Sequence, residues 1–435
     1  MRSNLIILLL LILIILISLG FYFLKNTKKE IYLKINNNLD NNLGTYNSEN
    51  YKINSFLKNN ILNLKTNKYS NFLDFAILEN LPKGKVWLIN LTKNTISLYE
   101  NNELKEIISI AYKAPEDKWY QAPMGYFRLG IKKEKHYSSL FPVYMNYSVQ
   151  LYEDFFIHEI PYFLNGDQVT SNFTGGCLRL YKDNAKKFYE LSKEGDFVLV
   201  YKELFDYNVS DKFNFPVKKD EFFLLKNFNN PFRSTKKYSG DLDNLHLDYI
   251  QHAGIDLSPY YFAKDLNVYS IYDGKVVKIV KNGENDHGMG NTVIIEHLLD
   301  LDEMGNEYLK SKINLLERIR AGDKNYIKIY SLYAHLAEIN NELSDGKLVT
   351  KGEILGKVGN TAYGCNYWKI GEDGCNNQNL PDIHLHFEIK IKPLLESPIE
   401  NNCLVYNKKT KCYGYVNDNP EKLGYLNPFY VLFDL

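Results

Sequence analysis

The strongest constraint on the fold is a succession of short apolar runs that begins at Lys85. Turn-forming and polar residues separate these runs, and apolar and polar positions alternate within several of them. Runs of this length and period are typical of β-strands. We therefore predict a mainly β protein. The runs of the first block are KVWLINL, TISLYE, EIISIAY, GYFRLGI, FFIHEI and DFVLVY.

A second block of the same kind follows a stretch at residues 205–220 that is predicted to be a linker. A charged segment at residues 299–324 interrupts this block, and we predict that this insertion is helical. Two strand-rich blocks in a chain of 435 residues indicate two β-rich domains. The runs of the second block are NVYSIYDGKVVKIV, NTVIIEHL, YIKIYSLYAHL, EILGKVG and HLHFEIK.

An almost uninterrupted run of Leu, Ile and Phe extends from Leu5 to Leu24. As a helix, this run is about 30 Å long, which matches the hydrocarbon core of a bilayer. We predict an uncleaved anchor; the alternative is a cleaved signal peptide, but no A-x-A-like site follows. The predicted organisation is a membrane anchor (1–29), a spacer (30–82), the first domain (83–204), the linker (205–220) and the second domain with a C-terminal extension (221–435).

Charge and cysteine content narrow the partners and the compartment. The 52 basic residues balance the 52 acidic residues, so we expect no nucleic-acid partner. The chain has five cysteines, Cys177, Cys365, Cys375, Cys403 and Cys412. The last four form two close pairs in loop-like sequence, which favours disulfides 365–375 and 403–412 in an oxidising compartment over a zinc knuckle. Cys177 is then a lone thiol and a candidate reactive group.

The second block carries histidines in a pattern that indicates a metal site. In HLHFEIK, the side chains of His384, His386 and Glu388 share one face of a strand because side chains alternate along a strand. HAGID adds His252 and Asp256, and YAHL adds a further histidine. Two neutral imidazoles and a carboxylate are a donor set suited to catalytic zinc.

These motifs, in this order, resemble those of the lysostaphin-like zinc endopeptidases of peptidoglycan, over about Asn230 to Lys392. DGKVV, GNTVIIEH and GEILGKVGNT extend the resemblance. It implies that one zinc ion is bound by His252, Asp256 and His386, and that His335 and His384 polarise the water or the scissile carbonyl and stabilise the oxyanion. A departure is the extra stretch from Cys365 to Asp382, which we expect to line the substrate groove.

The first block places a thiol behind two glycines, in SNFTGGCLRL, and a histidine upstream, in FFIHEI. A nearby imidazole activates a thiol, and glycines let backbone amides approach a developing oxyanion. Two roles of Arg179 stay open: it orients a substrate carboxylate, or it pins the loop with an ion pair.

This block resembles the L,D-transpeptidase catalytic domain from about Gly84 to Tyr201, including KVWLINLTKNTISLYENNELK and APMGYFRLG. The resemblance implies that Cys177 attacks a stem-tetrapeptide carbonyl, that His158 is its base, and that the amides of Gly176 and Cys177 hold the oxyanion. Gly175 departs from the family, which usually has histidine there. That change leaves open whether the acyl group passes to an amine or to water.

The two resemblances imply a β-sandwich or barrel-like transpeptidase domain and an antiparallel β-sheet endopeptidase domain, which we expect behind a transmembrane helix. The expected function is bifunctional remodelling of peptidoglycan; the alternative is a first domain that is an L,D-carboxypeptidase or an inert wall-binding module, with the zinc endopeptidase as the main activity. Expected partners are stem peptides and the inner membrane, through residues 5–24, with a cell-wall synthesis or division complex as a further candidate. The catalytic domains are expected in the periplasm or cell-wall space.

Overall fold

The structure is a computed structural model of the chain. It describes residues 72–79, 81–115, 120–138, 141–234, 249–261, 265–282, 288–361, 383–399, 403–405, 408–410 and 412–434. These residues belong to one compact unit, Tyr69–Leu435. Within them, no helix is both long and apolar enough to cross a membrane. The predicted anchor at residues 5–24 and the predicted groove insertion after Cys365 lie outside the described residues.

The first half of the described chain is rich in strands and contains two α-helices. In chain order its elements are α1 (Phe72–Leu78), β1 (Lys85–Asn90), β2 (Thr95–Glu100), β3 (Glu103–Ser109), β4 (Gly125–Arg128), β5 (Lys132–Ser138), β6 (Val143–Tyr152), β7 (Phe155–Glu159), β8 (Tyr162–Phe163), β9 (Leu178–Leu180), α2 (Lys182–Leu191) and β10 (Phe197–Glu203).

The second half is also mainly β, which confirms the predicted fold class for the described residues. Two short 3-10 helices occur at Lys219–Glu221 and Pro420–Leu423. The other elements are β11 (Phe222–Lys226), β12 (Pro231–Ser234), β13 (Tyr249–His252), β14 (Ile255–Pro259), β15 (Asn267–Tyr269), β16 (Gly274–Val280), β17 (Asn291–Asp300), α3 (Glu307–Ser311), β18 (Glu317–Ala321), β19 (Lys324–Leu336), β20 (Glu338–Ile339), β21 (Leu348–Val349), β22 (Ile354–Lys357), β23 (Leu385–Lys390), β24 (Cys403–Val405), β25 (Lys408–Thr410), β26 (Tyr415–Val416), β27 (Tyr425–Leu426) and α4 (Pro428–Leu432).

One sheet runs through both halves of the chain. Its strand order is β21-β16-β17-β19-β23-β14-β11-β10-β1-β2-β3. The halves meet at β10, whose residues 197–201 pair with β1 in parallel. On its other edge, β10 pairs first with β4 and then, at Lys202 and Glu203, with β11. Because β11 also pairs with β14, the two halves share continuous backbone hydrogen bonding.

Aromatic packing reinforces this junction. The ring of Phe223 on β11 lies 5.6 Å from that of Tyr201 on β10 and 5.5 Å from that of Tyr260, measured between centroids. All three side chains are buried, and burying one large apolar side chain contributes about 1.5–3 kcal/mol. The hydrophobic core is correspondingly continuous, since one cluster of buried residues extends from α1 to α4.

A second, smaller sheet lies in the first half and carries the thiol motif. Its order is β5-β6-β7-β9, with β8 paired to β6. β7 and β9 run parallel, with His158 opposite Arg179. The helix α2 follows β9 directly and buries Phe188 against Trp87 of β1, with ring centroids 4.8 Å apart. The small sheet is thereby held against the large one.

The end of the predicted spacer is part of the folded core. Helix α1 buries Phe75, Ala76, Ile77 and Leu78. The carboxylate of Asp74 accepts hydrogen bonds from the hydroxyls of Tyr99 and Tyr201, each at 2.7 Å. The predicted linker is packed as well, because it buries Phe213, Phe215 and Val217.

The predicted helical insertion at residues 299–324 is largely wrong. Strand β17 continues to Asp300, only residues 307–311 are helical, and residues 317–321 form β18. β18 pairs with the start of β19 through a tight turn in which Ala321 lies opposite Lys324. The turn residues Gly322 and Asp323 and the exposure of β18 account for the difference, since a solvated hairpin tolerates the charged sequence that suggested a helix.

Candidate active sites

Three strands bring the predicted metal ligands of the second half together. Asp256 of β14 lies opposite His386 of β23 in antiparallel register, and His252 ends β13. The Nε2 atom of His252 lies 3.1 Å from His386 Nδ1 and 3.2 Å from Asp256 Oδ1. His386 Nδ1 lies 2.8 Å from the same carboxylate oxygen. One donor atom from each residue therefore points to a common centre.

Each of the two imidazoles is also held through its other nitrogen. Nδ1–H of His252 donates to the carbonyl of Asn227 at 3.0 Å, so the lone pair of Nε2 faces the centre. Nε2–H of His386 donates to Glu388 Oε1 at 2.9 Å, and its Nδ1 faces the centre. Burial lowers the pKa of His386, but Asp256 and Glu388 raise it to about 9, so a bound cation would replace the proton on Nδ1. Partners of this kind fix the tautomer and the ring orientation of metal-binding histidines.

The carboxylate behind His386 is part of a fully buried ion pair. Glu388 Oε2 lies 2.6 Å from the ammonium of Lys390, and neither side chain is exposed. The ammonium also donates to the carbonyl of Leu395. Burial raises the pKa of a carboxyl group, but Lys390 and His386 hold the pKa of Glu388 below its usual value. Glu388 is therefore an anion next to His386.

The chain packs too tightly around β23 for a side chain at Gly254, which lies between two of the predicted ligands. A Cβ there would lie 2.4 Å from the carbonyl oxygen of Phe387 and 3.1 Å from His386 Cε1. Glycine thus permits the close approach that lets His252 and Asp256 face the same strand.

The two remaining histidines of the motif line the same site. The rings of His335 and His384 have centroids 4.8 Å apart, and His335 lies 5.9 Å from His386. His335 has a φ of 63°, a left-handed conformation that is uncommon outside glycine. Its Nδ1–H donates to the carbonyl of Thr361 at 3.1 Å. Burial and the neighbouring His384 and His386 imidazoles lower the pKa of His335 well below its usual value, so its Nε2 is unprotonated at neutral pH.

The residues present fit a divalent cation such as zinc. The donor set comprises two imidazole nitrogens and one carboxylate oxygen, all within 4.8 Å of one another and all buried. Burial alone would raise the pKa of Asp256, but the neighbouring His252 and His384 imidazoles lower it well below its usual value. Asp256 is therefore ionised at neutral pH. Three protein donors suit a catalytic site that keeps a position open for water.

The thiol site is built on the small sheet and the loop before β9. Cys177 directly precedes β9, and its Sγ accepts a hydrogen bond from the backbone N–H of Phe156 at 3.3 Å. Gly176 has a φ of 101°, and a Cβ there would lie 2.4 Å from the ring of Phe155 and 2.8 Å from the carbonyl of Tyr120. Glycine at 176 is required by both the turn and the space.

The predicted base lies on the neighbouring strand of the same sheet. His158 is opposite Arg179, two residues after Cys177, so the side chains of all three residues share one face. Nδ1–H of His158 donates to the carbonyl of Glu159, which leaves Nε2 unprotonated. Burial lowers the pKa of His158 to about 4. The imidazole is therefore neutral and able to accept a proton at neutral pH.

The thiol is protonated in this environment. Burial raises the pKa of Cys177 to about 11, although the Phe156 N–H and Arg179 favour the thiolate. Cys177 and His158 are therefore a neutral thiol and a neutral imidazole, not a thiolate–imidazolium pair. Nucleophilic attack at this site needs proton transfer during the reaction.

The neighbours of Cys177 bear on two further predictions. The N–H of Gly176, predicted to hold an oxyanion, donates to Thr174 Oγ1 at 3.2 Å. That amide is engaged within the loop and must change partner to serve a substrate. The guanidinium of Arg179 donates to the carbonyl of Ser171 at 2.7 Å, and the side chain is buried. This hydrogen bond ties the Arg179 side chain to the loop through a backbone carbonyl, and both predicted roles of Arg179 stay predictions.

A cavity of about 500 Å³ opens in front of Cys177 and His158. Its walls are mainly apolar and include His136, whose ring stacks on Phe156 at 4.9 Å between centroids. Gly175 also lines the cavity, and a Cβ there would lie 3.1 Å from the ring of Phe141. Phe141 therefore covers the position at which the resembling family usually carries histidine.

The sequence motifs did not predict the residues that form hydrogen bonds or ion pairs with the site histidines and their partners. Asn227 and Thr361 act through backbone carbonyls, which carry no sequence signal. Lys390 could have been predicted as a partner of Glu388. It follows Glu388 by two positions, so both side chains lie on the same face of a strand that is buried on both sides. The disulfide 403–412 stays a prediction, since the side chain of Cys403 lies outside the described residues.

Comparison with protein families identifies both halves. The model of the L,D-transpeptidase catalytic domain, YkuD, matches residues 84–200, and that of peptidase family M23 matches residues 250–398. Both resemblances inferred from the motifs are thereby confirmed. The comparison with curated proteins returned no match.

Three solved structures illustrate the likeness. An L,D-transpeptidase from Stackebrandtia nassauensis is 20% identical, with 30% of this chain and 67% of that chain covered and a TM-score of 0.24. An L,D-transpeptidase from Mycobacterium smegmatis is 19% identical (27% and 58% covered, TM-score 0.22). A fused Zn-dependent amidase/peptidase/peptidoglycan-binding domain-containing protein from Clostridium acetobutylicum is 18% identical (30% and 57%, TM-score 0.24).

The chain spans less than three fifths of the length of the last two proteins. Because the TM-scores are low, the assignment rests on the two family models. The chain carries an L,D-transpeptidase catalytic domain over residues 84–200 and a peptidase family M23 domain over residues 250–398.

Proposed function

We propose that the protein is a bifunctional peptidoglycan remodelling enzyme. Its thiol domain transfers an acyl group of a stem peptide, and its zinc domain hydrolyses peptide cross-links. The observation that carries the proposal is the convergence of His252, Asp256 and His386 within 4.8 Å, in a chain that also presents Cys177 and His158 to a cavity. Two domains of cell-wall families in one chain support a common substrate.

In the zinc domain, the protein's own residues position the metal and move protons. A bound zinc ion supplies an electrophile and an activated water for attack on a peptide carbonyl. His335 holds its unprotonated Nε2 at the site, because its Nδ1–H is bonded to Thr361. We assign His335 the role of proton acceptor for the attacking water and His384, beside it, that of hydrogen-bond donor to the developing oxyanion.

In the thiol domain, the reaction begins from neutral groups. Cys177 Sγ attacks the carbonyl of the third residue of a stem tetrapeptide, and its proton passes to Nε2 of His158. A carbon–sulfur bond forms, the peptide bond to the fourth residue breaks, and His158 returns the proton to the leaving amine. The product is a thioester on Cys177.

The acceptor of the acyl group decides between two outcomes. Attack by an amine of a second stem peptide gives an L,D cross-link, and attack by water gives a trimmed tripeptide. Gly175 is the reason to consider hydrolysis. The ring of Phe141 covers Gly175, and the residue before Gly176 supplies no imidazole. L,D-carboxypeptidase activity is therefore the second candidate for this domain.

The proposal includes a location. The apolar run at residues 5–24 would anchor the chain in the inner membrane, with both catalytic domains in the periplasm or cell-wall space, where stem peptides are found. The predicted disulfides fit that compartment. When the outer layers of the cells are permeabilised and the inner membrane is left intact, added protease should degrade the catalytic domains. Protection of both domains would contradict this location.

Defined cross-linked muropeptides test the two activities. They would be incubated with the reduced, zinc-loaded protein and with Cys177→Ala and His386→Ala variants, and the products weighed by mass spectrometry. We expect Cys177→Ala to lose acyl transfer and keep cross-link cleavage, and His386→Ala to show the reverse. If the unaltered protein changed no muropeptide, the proposed function would be wrong.

A further inference from the structure

The turn between β11 and β12, Asn227 to Asn230, joins the transpeptidase domain to the metal site. On one side, Asn227 Nδ2 donates to Gln121 Oε1 at 2.9 Å, and Gln121 Nε2 donates to the carbonyl of Phe228 at 2.8 Å. Asn230 Nδ2 donates to the carbonyl of Ala122 at 3.0 Å. Gln121, Asn227 and Asn230 are all buried.

On its other side, the same turn holds His252. The carbonyl of Asn227 accepts the Nδ1–H of His252 at 3.0 Å, and the backbone N–H of His252 donates to the carbonyl of Asn230 at 3.1 Å. The N–H of Asn229 donates to the carbonyl of His252 at 2.8 Å. The position of the turn therefore sets both the backbone and the ring of this candidate ligand.

The loop that carries Gln121 also touches the thiol site. The carbonyl of Tyr120 lies 2.8 Å from where a Cβ on Gly176 would be, and the ring of Tyr120 lies 5.1 Å from that of Phe173 in the wall of the cavity. Gln121 follows directly and points the other way, to Asn227. A single loop before β4 thus contacts the surroundings of both centres.

We infer that Gln121, a residue of the transpeptidase domain, is a positioning residue for the metal site of the peptidase domain. Its amide fixes Asn227 and Phe228, and the Asn227 carbonyl in turn fixes the tautomer of His252. Loss of this amide leaves buried polar groups of the turn without their partner, so the turn must shift to satisfy them. The inference rests on the proposed zinc site.

The test measures zinc affinity of the full chain by competition with a chromophoric chelator. In Gln121→Leu, a side chain of similar size lacks both hydrogen bonds. We expect zinc to bind roughly 10-fold more weakly, at the lower end of the effect of residues that support metal ligands. The absorption spectrum of the Co²⁺-loaded protein should change in shape, which a loss of general stability does not cause.

Two further variants make the test decisive. Asn227→Ala removes the same bond from its other end and should weaken zinc binding to a similar degree, with the double variant no weaker than about the stronger single one. Gln150→Leu is the matched control: on the small sheet of the same domain, it removes the two hydrogen bonds of a glutamine amide, from Nε2 to the carbonyl of Glu153 and from the N–H of Ile131 to Oε1. Its zinc affinity should equal that of the unaltered protein.

The outcomes separate the inference from the function on which it rests. If the unaltered chain bound no zinc, the proposed zinc site would fail. If it bound zinc and both folded variants, Gln121→Leu and Asn227→Ala, bound it with unchanged affinity and unchanged Co²⁺ spectrum, Gln121 would have no positioning role. Circular dichroism of each variant establishes that it is folded, and a Gln121→Leu chain that failed to fold leaves Asn227→Ala to decide.

Discussion

The metal site and the thiol site are held in opposite ways. His252, Asp256 and His386 are at most 3% exposed, and each imidazole is bonded through its second nitrogen to a fixed acceptor. Cys177 lines a cavity of about 500 Å³ whose walls are mainly apolar. The candidate metal ligands lie on β14 and β23 of the large sheet and at the end of β13, and the thiol site lies beside the small sheet.

The difference fits what each centre would bind under the proposed function. A divalent cation needs donors placed within a few tenths of an ångström, which a fully bonded, buried site provides. A thiol that forms an acyl-enzyme must first admit a peptide and then a second reactant, so it needs room and a proton acceptor more than rigid ligands. The predictions below test these two requirements in turn, from the largest expected effect to the smallest.

Replacing the base should have the largest effect. In His158→Asn, the side-chain amide can still donate to the carbonyl of Glu159, but it cannot accept the thiol proton. We expect the rate of acyl-enzyme formation to fall by about 10²–10⁴-fold, measured by mass spectrometry of the Cys177 thioester. His136→Asn is the control, because His136 is the other imidazole in the cavity wall. A larger loss in the control would transfer the role of base to His136.

Alkylation of Cys177 should report a protonated thiol. Burial raises the pKa of Cys177 to about 11, so the thiolate fraction at pH 7 is about 100-fold smaller than for an ordinary thiol. The rate of iodoacetamide labelling, followed on the Cys177 peptide, should therefore rise about tenfold per pH unit from pH 7 to 10. A plateau reached by pH 9 would show a thiolate already stabilised by its neighbours, and the two sites would then be equally preorganised.

Weakening the support of His386 should reduce metal affinity and spare the thiol. Glu388→Gln removes the anion bonded to Nε2 of His386, and zinc affinity should fall by about 10–100-fold. The variant also leaves Lys390 without its counter-ion, so the double variant Glu388→Gln/Lys390→Met controls for the buried charge. Equal weakening in both variants assigns the effect to His386. Recovery of affinity in the double variant would assign it to the stranded ammonium instead.

The two sites also differ in how much of them could be predicted from sequence. The alternation in HLHFEIK predicts that His386 and Glu388 lie on one face of a strand. In the structure they do, and His386 Nε2 lies 2.9 Å from Glu388 Oε1. Local periodicity carries this information. The join between the domains does not follow from any period, because Gln121 and Phe228 are 107 positions apart in sequence. The pairing of β10 with both β4 and β11 brings them together.

Predictions from composition were weaker than those from periodicity. A spacer is predicted at residues 30–82 and a linker at residues 205–220, yet α1 and residues 213–217 are packed into the core. Their few apolar residues suffice because neighbouring strands offer apolar surface, which sequence composition alone does not reveal. The charged sequence of residues 299–324 likewise suggests a helix, but the pairing of β18 with β19 decides the structure of residues 317–321.

Crossed inhibition is the most direct test of the claim that the chain holds two independent chemistries. Cross-linked muropeptides would be incubated with the full chain after treatment with a zinc chelator or after alkylation of Cys177, and every product quantified by mass spectrometry. We predict that chelation abolishes cross-link cleavage and leaves thioester formation at Cys177 intact, and that alkylation does the reverse. Cross-link cleavage that survives complete removal of zinc, or is lost on alkylation, would contradict this account.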